Sequence, residues 1–166
     1  MSEHHAEIYR YLLRATGRAS DADDLSQETF LRAFRAHRSL PPHANVRAWL
    51  FTIATNLSRN YYRAQSRRRL AYAAVSVTLT ETDGAGPDRM TISRETGARI
   101  EAVVSRLPLK QRLAFIQRKI HGLDYDAIGA SLKCSADSAR AHVFQALRKI
   151  RQSLETDEPS GEEPRT

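Results

Sequence analysis

The sequence predicts an all-α protein made of two small helical domains joined by a flexible linker. Apolar residues recur at helical spacing in two blocks, near residues 8–70 and 93–154. The segment between them, residues 77–89 (VTLTETDGAGPDR), is rich in Thr, Asp and Gly and has no apolar periodicity. The longest alternating stretch, residues 74–79, is too short to indicate a sheet. We therefore place a first domain at 6–72, a linker at 73–92, a second domain at 93–154 and a disordered acidic tail at 155–166.

Composition limits the kind of partner. The chain has 166 residues, a net charge of +7 and a pI near 10.0, which favours an anionic partner such as nucleic acid or an acidic protein. The single cysteine, Cys134, excludes an internal disulfide and a thiolate zinc cluster, and we interpret it as a small packing residue. We expect no metal site and no cofactor. The absence of a signal peptide and of a bilayer-spanning apolar run predicts a cytoplasmic protein without membrane insertion.

Three helices are predicted in the first domain. Gly17 ends the first helix, Ser20 is the expected N-cap of the second, and Pro41 and Pro42 end the second in a loop. The third runs from about residue 46 to 70. The apolar faces of the three helices are formed by Ile8, Tyr11, Leu12 and Ala15, by Leu25, Phe30, Ala33 and Phe34, and by Trp49, Leu50, Ile53, Ala54 and Leu57.

The second domain contains a candidate helix-turn-helix. Four helices are predicted at residues 94–107, 110–120, 125–132 and 136–154, with Asp124 and Ser135 capping the last two. Small Gly129 allows these two helices to approach closely at their turn, as in proteins whose second helix enters the major groove. The inward positions are Ile128, Leu132, Ala139, Val143, Ala146, Leu147 and Ile150. An ordinary amphipathic hairpin with a solvated basic face remains an alternative.

The outward face of the last helix carries the candidate DNA contacts. Arg and Gln pair bidentately with guanine and adenine edges, whereas Arg148, Lys149 and Arg151 suit phosphates. We call this surface the reading face and define it as Ser138, Arg140, Ala141, Phe144, Gln145 and Arg148.

The segment 46–69 (VRAWLFTIATNLSRNYYRAQSRRR) mixes aromatic side chains with Asn and Arg. Single-stranded nucleic-acid sites combine stacking surfaces, hydrogen bonds to bases and phosphate neutralisation in this way. The alternative is that its apolar residues belong to the core, and we expect this at least of Trp49.

The order of these segments resembles the extracytoplasmic-function (ECF) sigma factors from about residue 6 to 154. The strings DLSQETFLRAF, RAWLFTIATNLSRNYYRAQSRR, LPLKQRLAF and GLDYDAIGASLKCSADSARAHVFQALRKIR carry the resemblance. It implies a region 2 bundle that melts and reads the minus-10 element, and a region 4 helix-turn-helix that reads the minus-35 element. The implied partners are core RNA polymerase, through the β′ clamp helices and β flap, promoter DNA in duplex and single-stranded form, and an anti-sigma factor.

The same resemblance assigns roles to individual residues. Polymerase binding falls on Asp24, Gln27 and Glu28, and minus-10 binding on Asn56, with the loop 40–45, and on Arg59, Asn60 and Arg63. The family's minus-35 contacts match Arg140, Ala141 and Gln145 of the reading face, whose other members were assigned from the outward face of the helix. The family often has Gly-Thr-Val at the start of this helix and a second Arg in place of Gln145; here Asp137-Ser138-Ala139 starts it.

Two other functions fit parts of the chain. A plain helix-turn-helix regulator explains the second domain but leaves the first without a role. A sigma-like protein-interaction module would keep only the anti-sigma partner. An enzyme is not expected, because there is no Gly-rich phosphate loop, nucleophile elbow or paired acid motif.

Overall fold

The protein is described here by a computed structural model that covers the backbone of residues 2–74 and 92–156 and the side chains of 2–74 and 95–156. These residues form helices α1 (His5–Thr16), α2 (Ala19–Ala36), α3 (Val46–Ala73), α4 (Ile92–Arg106), α5 (Leu109–Phe115), α6 (Tyr125–Leu132) and α7 (Ala136–Thr156). No strand occurs among them, so the all-α prediction is confirmed. Residues 75–91 of the predicted linker (73–92) and residues 157–166 of the predicted tail (155–166) lie outside the described residues. Glu155 and Thr156, which were predicted to be disordered, are the last two residues of α7.

The first domain is a bundle of α1, α2 and α3. Gly17 ends α1 in a left-handed conformation with φ of 72°, and its N–H donates to the Leu13 carbonyl. Helix α2 then begins at Ala19, because the Arg18 carbonyl already accepts its first helical hydrogen bond, from the Ala22 N–H. The prediction of Ser20 as N-cap is therefore wrong by two residues.

Two apolar side chains of the first domain lie elsewhere than predicted. Phe34 is 69% exposed rather than inward, because no other helix among residues 2–74 and 92–156 covers its face of α2. Trp49 is only half-buried at the edge of the core, whereas neighbouring Phe51 is completely buried and packs against Tyr11 with ring centroids 4.9 Å apart. Helix α3 begins at the Asn45 cap, whose Oδ1 accepts from the Ala48 N–H at 3.0 Å.

In the second domain, α4, α5 and α6 all pack against α7. The predicted helix 110–120 is α-helical only to Phe115 and continues as a wide π-helical turn at Ile116–Ile120. The His121 N–H accordingly reaches back five residues to the Ile116 carbonyl. The residues predicted to face inward on α6 and α7 are buried, except Leu147, which is half-buried.

The two domains are in direct contact. Helix α6 packs along α3, and the π-helical turn packs against α1. The buried apolar side chains of both domains form one cluster. The sequence had suggested two separate units, so this interface is a feature that only the structure provides.

Candidate nucleic-acid interface

The helix-turn-helix forms as predicted. Asp124 caps α6 by accepting from the Ala127 N–H at 2.7 Å, and Ser135 caps α7 by accepting from the Ser138 N–H at 3.1 Å. A Cβ at Gly129 would lie 2.7 Å from the Cys134 carbonyl oxygen, so the two helices meet at a distance that only glycine permits. Cys134 is half-buried in this turn, which agrees with a packing role.

The predicted reading face is exposed along its whole length. Every one of its six residues is exposed, and Phe144 shows 64% of its surface. The opposite face of α7 carries Ala139, Val143, Ala146 and Ile150 in the core. Burial of one stripe thus orients the other toward solvent, where duplex DNA can approach.

Two reading-face side chains are held by residues on other helices. The Cζ of Arg140 lies 4.8 Å from the ring centroid of Tyr125 on α6, and its Nη1 donates to the Asp137 carboxylate at 2.9 Å. The Oε1 of Gln145 accepts from the Nε2 of Gln111 on α5 at 2.9 Å. The sequence contained these partners, but helical periodicity does not predict pairs between helices.

The predicted minus-10 residues form one stripe on α3. Asn56, Arg59, Asn60 and Arg63 follow the spacing of three and four that brings side chains together on a helix. Asn60 and Arg63 are exposed, whereas Asn56 and Arg59 are half-buried. Arg59 Nη1 lies 3.4 Å from the Leu132 carbonyl oxygen at the end of α6, so one end of the stripe touches the second domain.

The aromatic side chains of α3 are partly engaged in contacts within the protein. Tyr61 donates to the Asp21 carboxylate at 2.5 Å, and Tyr62 donates to the Ala15 carbonyl at 2.6 Å. Partial burial and the hydrogen bond to the Asp21 carboxylate raise the pKa of Tyr61 to about 12. The hydroxyl groups of both tyrosines are thus engaged within the first domain, and the Arg112 guanidinium of α5 lies 4.8 Å from the Tyr62 ring centroid. Both rings are half-buried rather than freely exposed, and stacking on bases stays a prediction.

The predicted polymerase-binding residues lie on one face of α2. Asp24 and Gln27 are exposed, and half-buried Glu28 pairs with Arg32 at 2.6 Å. Leu31 and Phe34 continue the same face and are 50% and 69% exposed. The face is therefore acidic at one end and apolar at the other, and its apolar half was missed because Phe34 was assigned to the core.

A buried polar network connects the domains. Tyr11 Oη and Thr55 Oγ1 of the first domain lie 2.8 Å apart. Gln117 Nε2, on the π-helical turn, donates to both hydroxyl oxygens, at 3.0 and 3.2 Å, and its Oε1 accepts from Ser131 at 2.8 Å. All four side chains are completely buried, and burial raises the pKa of Tyr11 to about 12.

A second contact between the domains is ionic. Arg47 pairs with Glu7 at 2.5 Å and donates to the His121 carbonyl, while His121 Nδ1 lies 3.4 Å from the same carboxylate. The Arg47 guanidinium lowers the pKa of Glu7, although partial burial opposes it. Burial dominates at His121 and lowers the pKa of its imidazole despite the nearby carboxylate.

Neither a metal centre nor a membrane span emerges from the part of the chain that the structure describes. Residues 2–74 and 92–156 contain no group of three or more His, Cys, Asp or Glu side chains suited to a metal ion. No helix in those ranges combines the length and apolarity that a bilayer span requires.

Fold and site together define a two-domain helical protein with a DNA-reading helix-turn-helix. Family models describe residues 1–68 as Sigma-70 region 2 and residues 97–150 as Sigma-70, region 4. The chain is 30% identical over 139 residues to the ECF RNA polymerase sigma-E factor of Salmonella typhimurium, covering 80% of this chain and 73% of that protein. The chain belongs to the family of ECF RNA polymerase sigma factors, as its sequence predicted.

Another relative and two solved structures agree with this assignment. The ECF RNA polymerase sigma factor SigE of Mycolicibacterium smegmatis is 30% identical over 152 residues, which is 92% of this chain but 59% of that protein. The sigma factor RpoE bound to the anti-sigma factor NepR, from Bartonella quintana, superposes with a TM-score of 0.69 at 22% identity and covers 92% of each chain. CnrH in complex with the cytosolic domain of CnrY gives 0.67 at 23%, covering 94% of this chain and 85% of CnrH. These structures support the fold.

Proposed function

We propose that this chain binds core RNA polymerase and directs it to promoters as an alternative sigma factor. The observation that carries the proposal is the pairing, in one chain, of an exposed reading face on α7 with a polar stripe on α3 that is half-buried at Asn56 and Arg59 and exposed at Asn60 and Arg63. The first suits paired bases, and the second suits bases that have left the duplex. A regulator that binds only duplex DNA has no use for the second surface.

Core binding is proposed for the exposed face of α2. Its acidic end, at Asp24, Gln27 and Glu28, suits a basic partner surface such as the β′ clamp helices, and exposed Leu31 and Phe34 add apolar area to bury. The second domain would contact the β flap. Since template and polymerase occupy the bacterial cytoplasm, the protein would work there.

Promoter opening would depend on binding energy alone, without covalent chemistry or a cofactor. Extruding a base costs a few kcal/mol in lost stacking and pairing. Hydrogen bonds from Asn56 and Asn60, with charge from Arg59 and Arg63, would offset that cost for the preferred sequence. The reading face would hold the minus-35 duplex meanwhile, so that each contact raises the effective concentration of the other.

Run-off transcription with core polymerase on a promoter library tests the proposal. Wild type should select start sites, and Asn56→Ala should reduce promoter opening while leaving core binding intact. Arg10→Ala, at an exposed position of α1 outside the proposed surfaces, is the control. Failure to bind core polymerase would contradict a sigma function, and duplex binding without core polymerase would indicate a plain regulator.

An anti-sigma factor is the remaining proposed partner. The support is family membership and the bound state of the structural neighbours, since the RpoE structure contains the anti-sigma factor NepR. Co-purification from cells that express the tagged full chain tests this point. Recovery of only an anti-sigma partner, without polymerase, would instead favour a protein-interaction module.

A further inference from the structure

Arg140 is the side chain of α7 that is best suited to read a DNA base, and it is contacted by Tyr125 of the preceding helix. Tyr125, the first residue of α6, has its ring centroid 4.8 Å from the Arg140 guanidinium. The guanidinium of Arg118 lies 4.5 Å from the same centroid, and its Nη1 donates to the Leu123 carbonyl at 2.9 Å. One tyrosine ring therefore contacts two cations, one of them tied to the backbone.

Asp137 completes the arrangement. Its carboxylate accepts from Arg140 Nη1 at 2.9 Å, and its side chain is 92% exposed. A carboxylate at the N-terminus of a DNA-facing helix would repel phosphates, but the ion pair neutralises it. Arg has five N–H donors in a fixed fork, so donors remain for a bidentate contact with a base.

We propose that Tyr125 is a positioning residue for base reading, which holds the Arg140 guanidinium together with Asp137 before DNA arrives. A long exposed side chain loses much rotamer freedom when it binds DNA. Contact with an aromatic ring already restricts the side chain in the free protein, so less rotamer freedom is lost on binding. The inference rests on the proposed function, because it concerns the residue proposed to read the minus-35 element.

The experiment measures base preference by holoenzyme on a library of minus-35 sequences. Arg140→Ala first identifies the position that Arg140 reads. Tyr125→Leu should then reduce preference at that position about two- to fivefold, the range for an exposed cation–π contact. Tyr125→Phe retains the ring and should keep the preference. In an Arg140→Ala background, Tyr125→Leu should have no further effect.

Each of the remaining outcomes either overturns or supports the positioning role of Tyr125. An unchanged preference in Tyr125→Leu, or an additive effect in the double variant, overturns the positioning role. If Tyr125→Leu fails to fold, exposed Asp137→Asn takes its place, and it should shift preference at the same position. If Arg140→Ala changes no base preference while transcription persists, the positioning role of Tyr125 is overturned but the proposed sigma function is not. If the wild-type holoenzyme forms no promoter complex, the positioning role and the proposed sigma function are both overturned.

A second proposal comes from the domain interface. Arg59 contacts the Leu132 carbonyl, and Ser138 on the reading face is only six residues further along. Six residues span at most about 22 Å. Minus-10 and minus-35 elements some 25 base pairs apart are separated by about 85 Å along the duplex. In this conformation the two surfaces cannot reach both elements.

We infer that the buried Tyr11–Thr55–Gln117–Ser131 network is an autoinhibitory contact that must open before both promoter elements are bound. Binding through both domains is then weakened by the fraction of closed molecules. Thr55→Val removes one hydroxyl of the network. This should shift the closed-to-open ratio by about 5- to 30-fold and, when sigma and core polymerase are mixed with a promoter that carries both elements, raise the rate of open-complex formation in proportion.

Thr52→Val is the matched control, because the Thr52 hydroxyl donates to the Ala48 carbonyl within α3. Glu7→Gln, at the ionic contact between the domains, is a second opening variant should Thr55→Val fold poorly. Small-angle scattering should show compact wild-type protein. Extended wild-type particles, or equal rates for an opening variant and Thr52→Val, would overturn the inference.

Discussion

Replacement of Gly129 by alanine should distort the helix-turn-helix. The added Cβ would meet three backbone atoms: the Cys134 oxygen at 2.7 Å, the Ser135 carbonyl carbon at 3.1 Å and the Ala136 nitrogen at 3.2 Å. No flexible side chain can move aside, so the turn that starts α7 must shift. Overpacking of this kind costs about 1–3 kcal/mol, while alanine in place of glycine in a helix returns up to about 1 kcal/mol.

Gly97→Ala separates the two contributions. Gly97 lies inside α4 with nothing within 4 Å of an added Cβ, so this variant should show only the helix-propensity gain. Urea denaturation followed by circular dichroism should find Gly129→Ala less stable than Gly97→Ala by about 1–3 kcal/mol. The melting temperature should differ by about 2–4 °C per kcal/mol. Equal stability of the two variants would refute the steric argument.

Three further predictions concern single polar groups. Asp124→Ala should destabilise the protein by about 1 kcal/mol through loss of the α6 cap, whereas Asp126→Ala, one residue inside the helix, should have less effect in the same denaturation assay. Glu7→Gln should be less stable than wild type at pH 7, because the neighbouring guanidinium lowers the carboxyl pKa in the folded state. That difference should be lost as pH falls below 4.5, the ordinary value, and through the lowered pKa; a difference that persists in acid would contradict the ion pair. Tyr11→Phe should cost about 1–3 kcal/mol in urea denaturation, since it removes a buried partner of Gln117, and a wild-type value would show that the network adds no stability.

The exposed face of α2 changes how core binding should be tested. Asp24, Gln27 and Glu28 came from resemblance, while exposed Leu31 and Phe34 came from the structure. Large apolar side chains contribute more to protein interfaces than rim charges do. If α2 docks on polymerase, Phe34 is therefore expected to matter at least as much as Asp24.

Much of the fold was predictable because its causes are local. The helix-turn-helix depends on apolar spacing, on caps at Asp124 and Ser135 and on a small residue at Gly129, and all of these lie within a few residues of the hydrogen bonds they affect. The error at Ser20 has a local cause too. Serine is a frequent N-cap, but the chain conformation after Gly17 allows the helix to begin two residues earlier.

By itself, the sequence determined that the protein is helical, that it has two units and that one stripe of α7 faces outward, since periodicity and capping act over one or two helical turns. Only the tertiary structure decided that Gln117 is a buried link between the domains, that the hydroxyls of Tyr61 and Tyr62 bond within the first domain, and that Tyr125 contacts Arg140. The Gln117–Tyr11 partners are 106 residues apart and those of Tyr61 and Tyr62 are 40 and 47. Tyr125 and Arg140 lie on different helices, whose packing brings them together. No local pattern records which of many polar side chains meets which, because that depends on how the helices pack.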